Sequence, residues 1–232
     1  MEFSRAKPRG SKYSQKQIDP ISIHIAFEGA EDEAKYFLAL KQAIPKQFNK
    51  LLELIIVNKS STASAPSKVY TDIAEHLKAN KIKLNQSANP DHIAYMVIDK
   101  DHHFEANHVG TTRQALRYAK DQHIHIICNT PSFDLWLLCH YLDVANCDNS
   151  FKQRLIENNR TSHSSDPIIK QTLRQYRQSE PIQQLIEKTQ IALEHEQALG
   201  RNLTDIPPQT LTSNVGYIIE KIQSLGITLT NP

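Results

Sequence analysis

The stretch ISIHIAFEGAEDEAKYFLALKQA, residues 21–43, sets the fold class of this protein. Its first part alternates between apolar and polar side chains, a period of two that predicts a half-buried β-strand over 21–27. Acidic residues come next, and they are favoured in the first turn of a helix, where the helix dipole is positive. Apolar residues then recur at helical spacing over 31–43. The stretch therefore predicts a strand that leads directly into a helix.

The same order of strand and helix repeats downstream. The patterns predict strands over 51–57, 93–98 and 124–128, and helices over 67–80, 111–121 and 131–142. Strands joined by helical crossovers favour parallel pairing. After residue 150 strand signals nearly vanish, and helices are predicted over 150–158, 167–177, 181–199 and 213–224. We therefore predict an α/β fold with a mainly parallel four-stranded sheet flanked by helices. It divides into a basic flexible arm (1–18), an α/β domain (19–148) and a C-terminal helical region (149–232).

The composition indicates a soluble globular protein. The chain of 232 residues is 39% hydrophobic and 22% charged, with a formal net charge of +2. No apolar run is long enough to span a membrane, and the basic start lacks the apolar segment of a secretory signal. Cys128, Cys139 and Cys147 are too few for a disulfide framework and lack the usual spacing of zinc ligands. We expect a cytoplasmic protein with buried free thiols.

The small net charge is unevenly distributed along the chain. Residues 1–17 carry about +4, because Glu2 is their one acidic residue and their basic residues are Arg5, Lys7, Arg9, Lys12 and Lys16. The rest of the chain therefore carries about −2 by the same count. An arm of this kind has no apolar periodicity and is expected to be disordered alone. It is either a solubilising tail or a contact to nucleic-acid phosphates that gains affinity from counterion release.

Acidic residues follow three of the predicted strands. Glu28 comes directly after the first strand, Asp99 and Asp101 after the third, and Asp134 shortly after the fourth. In an open parallel sheet these strand ends share one edge, where ligands bind. Carboxylates gathered there repel one another unless a divalent cation neutralises them. The D-x-D spacing places two of them on one side of the chain, which favours Mg²⁺ or Mn²⁺. For the acidic residues at 31–32, capping of the helix is the favoured interpretation.

Basic side chains near the third strand are candidate contacts to a substrate. His102 and His103 follow the D-x-D pair and could contact a scissile phosphate, although exposed loop histidines are an equal alternative. Arg113 and Arg117 lie one turn apart on the next predicted helix, where they could contact a nucleic-acid backbone. A solvated helix face is the default interpretation for this pair. Trp136 is predicted to belong to the core.

Three segments, in the right order, resemble a known family. IAFEGAEDEAKYF (25–37) resembles the "EGxxTExxYF" opening of the RloB-like family, YMVIDKDHH (95–103) its D-x-D strand, and NTPSFDLWLLCHY (129–141) its "NPxFExWLLxHF" segment. PQTLTSNV (208–215) is similar to the turn before the family's final helix. The order of acids and strands also resembles the TOPRIM fold of topoisomerases, primases and overcoming-lysogenization-defect nucleases. Asp32 stands where the family usually has Thr, and Asp134 where it usually has Glu.

The resemblance implies a metal-dependent nuclease acting on DNA or RNA, including tRNA. Such a nuclease would be the effector of an anti-phage, abortive-infection type defence module, controlled by an AAA/ABC-type ATPase, and it could form oligomers. By this resemblance Glu28 would bind metal or act as general base, and Asp99 and Asp101 would bind Mg²⁺. Glu33 and Asp134 would add further carboxylates to the same metal site.

Two other functions stay open at the level of sequence. A D-x-D pair also marks haloacid-dehalogenase-like phosphatases and phosphotransferases, although there it normally follows the first strand. The second alternative is a non-catalytic subunit that binds and regulates an ATPase. The chain has no GxxxxGK[ST] motif, so it is not itself expected to hydrolyse ATP with a P-loop.

Overall fold

The protein alternates strands and helices in its first part and is mainly helical afterwards. A computed structural model describes residues 20–61, 64–85, 87, 90–100, 102–105, 108–161 and 164–229. The first part contains β1 (Ile21–Phe27), α1 (Asp32–Gln42), β2 (Leu52–Ile56), α2 (Pro66–Ala79), β3 (His92–Asp99), α3 (Val109–Asp121), β4 (His125–Asn129) and α4 (Asp134–Cys139). The second part contains α5 (Asn149–Glu157), β5 (Arg160–Thr161), β6 (Ser164–Pro167), α6 (Ile168–Arg177), α7 (Thr189–Leu199) and α8 (Gly216–Gln223). Short 3₁₀ turns span Lys46–Lys50, His102–Phe104, Val144–Asn146 and Ile182–Lys188. The predicted basic arm (1–18) lies outside the described residues.

The four long strands form one parallel sheet in the order β2-β1-β3-β4. In its centre Ile23 of β1 aligns with Leu54 on one side and with Ile93 on the other. The α/β fold with a four-stranded parallel sheet and a C-terminal helical region is therefore confirmed. The antiparallel hairpin of β5 and β6 was not predicted. Its strands have 2 and 4 residues, too few for an alternating pattern to show.

Helices cover both faces of the sheet. On one face α1, α4 and the C-terminal helices form a single core, which includes Trp136, Leu185 and Ile219. On the other face α2 and α3 pack through residues such as Ile73 and Leu116. Trp136 is fully buried, as predicted. The C-terminal helical region therefore packs on the sheet and shares a hydrophobic core with it.

β1 is more deeply buried than its alternating sequence predicts. Every residue from Ser22 to Phe27 is buried, because β1 is a central strand with helices on both faces. The prediction of a half-buried strand was therefore wrong. His24 is the most polar residue of the strand, and its two ring nitrogens lie 3.0 Å from His76 Nε2 and 3.1 Å from His92 Nδ1. These contacts satisfy a polar side chain that would otherwise be costly to bury.

This buried histidine makes the stability of the fold sensitive to acid. Burial, followed by the charges of His76 and His92, lowers the pKa of His24 from 6.5 to about 4. The unfolded chain binds the proton first, so stability falls as the pH drops from 6.5 towards 4, by up to about 3 kcal/mol from this group. We expect His24→Leu to remove this part of the pH dependence, as measured by urea unfolding near pH 7 and near pH 4. His108→Leu, at an exposed histidine, is the control. A His24→Leu protein with the pH dependence of the wild type would contradict the assignment.

The structure shows how far the cysteines are buried and whether a helix could span a membrane. Cys128 and Cys139 are buried, as predicted. Cys147 is partly exposed, so the prediction of burial was wrong for this residue. Within the described part of the chain, no helix is long and apolar enough to cross a membrane.

Candidate metal centre

Carboxylates gather at the carboxyl edge of the sheet. Glu28 follows β1 and Asp99 ends β3, and the parallel strands bring these two ends together. The backbone N–H of Asp99 donates a hydrogen bond of 3.3 Å to Glu28 Oε2. Glu33 and Asp134 lie in the first turns of α1 and α4. The structure therefore places these four predicted metal ligands at one edge, whereas Asp101 lies outside the described residues.

The carboxylates line two adjoining cavities. An open cleft of about 780 Å³ contains Glu28, Glu33 and Asp99 on its wall. A smaller pocket of about 290 Å³ is lined by Glu33 and Asp99 together with Asp134 and Lys170. Glu33 and Asp99 therefore face both cavities, and they form the centre of the cluster.

Burial and mutual repulsion raise the pKa of three of these carboxyl groups. Burial, together with the charges of Asp134 and Asp32, raises the pKa of Glu33 to about 7. Burial raises the pKa of Asp134 to about 6. For Asp99, burial and the charges of Glu33 and Glu28 raise the pKa well above its usual value. A divalent cation would relieve the repulsion among these carboxylates and would be favourable there.

Asn129 fixes the orientation of Asp99. This residue ends β4, is fully buried, and donates a hydrogen bond of 3.2 Å from Nδ2 to Asp99 Oδ1. The segment 212–214 supports it from the other side, because the hydroxyl of Ser213 donates to Asn129 Oδ1 at 3.4 Å. The Asn214 side chain also donates to the Cys128 carbonyl at 3.0 Å. A segment near the chain's C-terminal end therefore supports the carboxylate site.

Gly29 allows the carboxylate of Glu33 to lie directly over the backbone. A Cβ atom at Gly29 would lie 1.9 Å from both carboxylate oxygens of Glu33. Any side chain there would push Glu33 away from the cluster. The glycine is therefore required by this close approach.

The other predicted site residues are only partly brought together. His102 and Arg113 line the carboxylate cleft, and both are exposed. The ring of His103 instead donates a hydrogen bond of 2.6 Å to the Ser64 carbonyl. Arg117 is exposed on α3, and the part of the cleft that the structure describes does not include it. The predicted nucleic-acid contacts in the arm lie outside the described residues: Arg5, Lys7, Arg9 and Lys12.

Three residues of this edge were not assigned a role from sequence. Asn129 directly follows the fourth predicted strand, so the rule that placed the acids at this edge could have found it. Lys59 donates a hydrogen bond to the backbone carbonyl of Glu28, and Lys170 of α6 lines the smaller pocket. Lys59 comes shortly after β2, so the same rule could have found it, whereas Lys170 reaches the site through tertiary packing and no local pattern marks it.

The donor set suits a hard divalent cation. Carboxylate oxygens are the ligands that Mg²⁺ and Mn²⁺ prefer in proteins. Among the residues that the structure describes, which exclude Asp101, no three Asp, Glu, His or Cys side chains converge on one point as a complete ligand set. Mg²⁺ usually keeps several waters and needs only one or two carboxylates from the protein. One or two of the carboxylates of Glu28, Glu33 and Asp99 would therefore suffice to hold such an ion.

This architecture defines an α/β protein with a carboxylate-lined cleft at the carboxyl edge of a parallel sheet. The chain matches the RloB-like protein family over residues 23–222. Because the match covers most of the chain, the protein belongs to the RloB-like family, as its three sequence motifs predict. No curated protein and no solved structure matches the chain.

Proposed function

We propose that this protein is a metal-dependent nuclease that hydrolyses phosphodiester bonds of DNA or RNA. The observation that carries the proposal is the cluster of Glu28, Glu33 and Asp99 in an open cleft. When bound, Mg²⁺ or Mn²⁺ would stabilise the charge that develops on the phosphate and lower the pKa of an attacking water. The size of the cleft, about 780 Å³, is in the range of small-ligand sites and admits a nucleotide.

We assign a separate role to each of the main residues of the cleft. Asp99 would hold the metal, and Glu28 would either bind it as well or accept a proton from the attacking water. Asn129 keeps the Asp99 carboxylate in one orientation through its hydrogen bond of 3.2 Å. Arg113 and His102, which line the same cleft, would bind phosphate oxygens and position the strand. Asp101, by its place in the D-x-D motif, adds a further carboxylate.

We also propose a biological setting for this activity. The motifs shared with the RloB-like family support a role as effector of an anti-phage, abortive-infection type defence system in the cytoplasm. The sequence contains no P-loop motif, which fits a system in which a separate AAA/ABC-type ATPase hydrolyses ATP. The nuclease would then be the component that damages nucleic acid.

Incubation with defined substrates tests the proposal. Plasmid DNA, single-stranded DNA and tRNA are each incubated with the protein, with Mg²⁺ or Mn²⁺ and with EDTA. We expect cleavage with either metal ion and none with EDTA, because the carboxylates alone cannot stabilise the charge on the phosphate. Cleavage that persists in EDTA would contradict the metal site. Release of inorganic phosphate from mononucleotides, with polymers left intact, would instead indicate the phosphatase alternative.

A further inference from the structure

A second groove runs along the outer edge of the sheet. β4 is an edge strand, and its outer side borders a cavity of about 580 Å³, here called the edge groove. The floor is apolar and consists of Ile124, Ile126 and Ile127. The walls carry aromatic and basic side chains together with one carboxylate: Tyr95, Lys120, His125, Tyr217, Glu220 and Lys221. The edge groove thus combines an apolar surface with a cationic rim.

The edge groove adjoins the carboxylate cleft. Ile206 lines both cavities, so the groove opens beside the candidate metal centre. At its other end Lys120 and Lys221 also border a pocket of about 530 Å³. His123 connects that pocket to one of about 560 Å³, whose lining includes Lys78, Lys81 and Lys83. These cavities therefore adjoin one another between the acidic cleft and a basic surface, and we refer to them together as the path.

The charge of this path favours a polyanion. None of its five lysines forms an ion pair with any residue that the structure describes. Of the two carboxylates that line the path, Glu220 is already bound by Arg201 at 2.7 Å, and Asp121 is the other. The described lining of the path therefore carries more cationic than anionic side chains.

We propose that the edge groove binds single-stranded nucleic acid as it enters or leaves the carboxylate cleft. The choice of nucleic acid rests on the proposed nuclease function. Lys120 and Lys221 contact phosphates, and the bases pack on Tyr217 and on Leu203, which is 40% exposed. A duplex keeps its bases stacked inside and offers them no such contact. β4 has 5 residues, or about 13 Å at ~3.3 Å per residue. A bound strand that follows β4 would therefore run about this far along the edge groove.

Fluorescence anisotropy with a labelled single-stranded 20-mer tests this proposal. The measurement is made in EDTA, so that binding is read without cleavage, and it is repeated over a range of salt concentrations. We expect Lys120→Gln/Lys221→Gln to bind about tenfold more weakly, with a salt slope smaller by roughly 1.4, because each lost phosphate contact removes ~0.7. The control Lys41→Gln/Lys46→Gln changes the charge equally at exposed sites outside the groove. It should bind like the wild type.

The outcomes of this experiment test the groove proposal independently of the proposed nuclease activity. If the groove variant binds with the affinity and salt slope of the control, the groove proposal is overturned, whether or not the wild type cleaves. If the wild type fails to cleave but the groove variant loses binding, the groove stands and the nuclease assignment fails. If a poly-glutamate peptide binds as tightly as the 20-mer, the groove recognises acidic protein segments and the proposal is overturned.

Discussion

Replacing Asp99 by asparagine is expected to lower metal-dependent cleavage by about a thousandfold or more while leaving the fold intact. The carboxylate sits between both cavities and lies beside Glu28 and Glu33. Losing about 4 kcal/mol of transition-state stabilisation, the order that a metal site supplies, corresponds to this factor. The amide keeps the size of the side chain and an oxygen that can accept from Asn129. It also removes repulsion inside the cluster, so we expect no loss of stability.

Three measurements on the Asp99→Asn protein check this result: initial cleavage rates, thermal unfolding, and calorimetric titration with Mn²⁺. The matched control is Asp72→Asn, which alters another buried carboxylate, hydrogen-bonded to Ser60 at 2.6 Å and outside the cleft. We expect the control to keep its cleavage activity and its affinity for Mn²⁺. An Asp99→Asn protein that cleaves within about tenfold of the wild-type rate would exclude Asp99 as a metal ligand.

Replacing Arg201 by methionine is expected to destabilise the fold by about 3–5 kcal/mol, because it leaves a buried carboxylate without its counter-charge. Glu196 is fully buried on α7, and its Oε2 accepts a hydrogen bond of 2.6 Å from Arg201 Nε. Its Oε1 accepts from the backbone N–H of Gly216, the first residue of α8, at 3.0 Å. A Cβ at Gly216 would lie 2.0 Å from Glu196 Oε2, which shows how closely the ion pair packs against α8.

Urea unfolding at about pH 6 and pH 8 measures the loss in the free energy of unfolding and the direction in which it changes with pH. Burial raises the pKa of Glu196 to about 7, above its ordinary value, so the folded state favours the protonated form. The stability that protonated Glu196 contributes is therefore lost as the pH rises through the folded pKa. The Arg201→Met protein should accordingly have a lower free energy of unfolding at pH 8 than at pH 6. The double variant Arg201→Met/Glu196→Leu should recover most of the loss, since it removes both charges. A double variant as unstable as the single one would show that lost packing, and not an uncompensated charge, is the cause.

Local patterns predicted the secondary structure and the class of sheet. Strand and helix periods are local properties, so the alternation of elements up to α4 followed from the sequence. The burial of His24 could not be predicted in this way, because it depends on which strands flank β1 and on helices that pack from both sides. The β5–β6 hairpin was missed for the different reason that its strands are too short to carry a period.

The candidate site was predictable where one topological rule places its residues. Glu28 and Asp99 follow β1 and β3, and the carboxyl ends of parallel strands must share an edge. Lys170 and Asn214 reach the same edge from the C-terminal helical region. Their positions depend on how that region packs on the sheet, which no short stretch of sequence encodes.

The support of Asn129 by residues 212–214 has a consequence for the protein as it is being made. The ribosome produces the carboxylates of the cleft early, whereas Ser213 and Asn214, which hold the end of β4, emerge about eighty residues after Asp134. A nascent chain therefore carries the acids before it has the means to position them. The orientation of Asp99 through Asn129 is therefore completed only after the segment 212–214 has been synthesised.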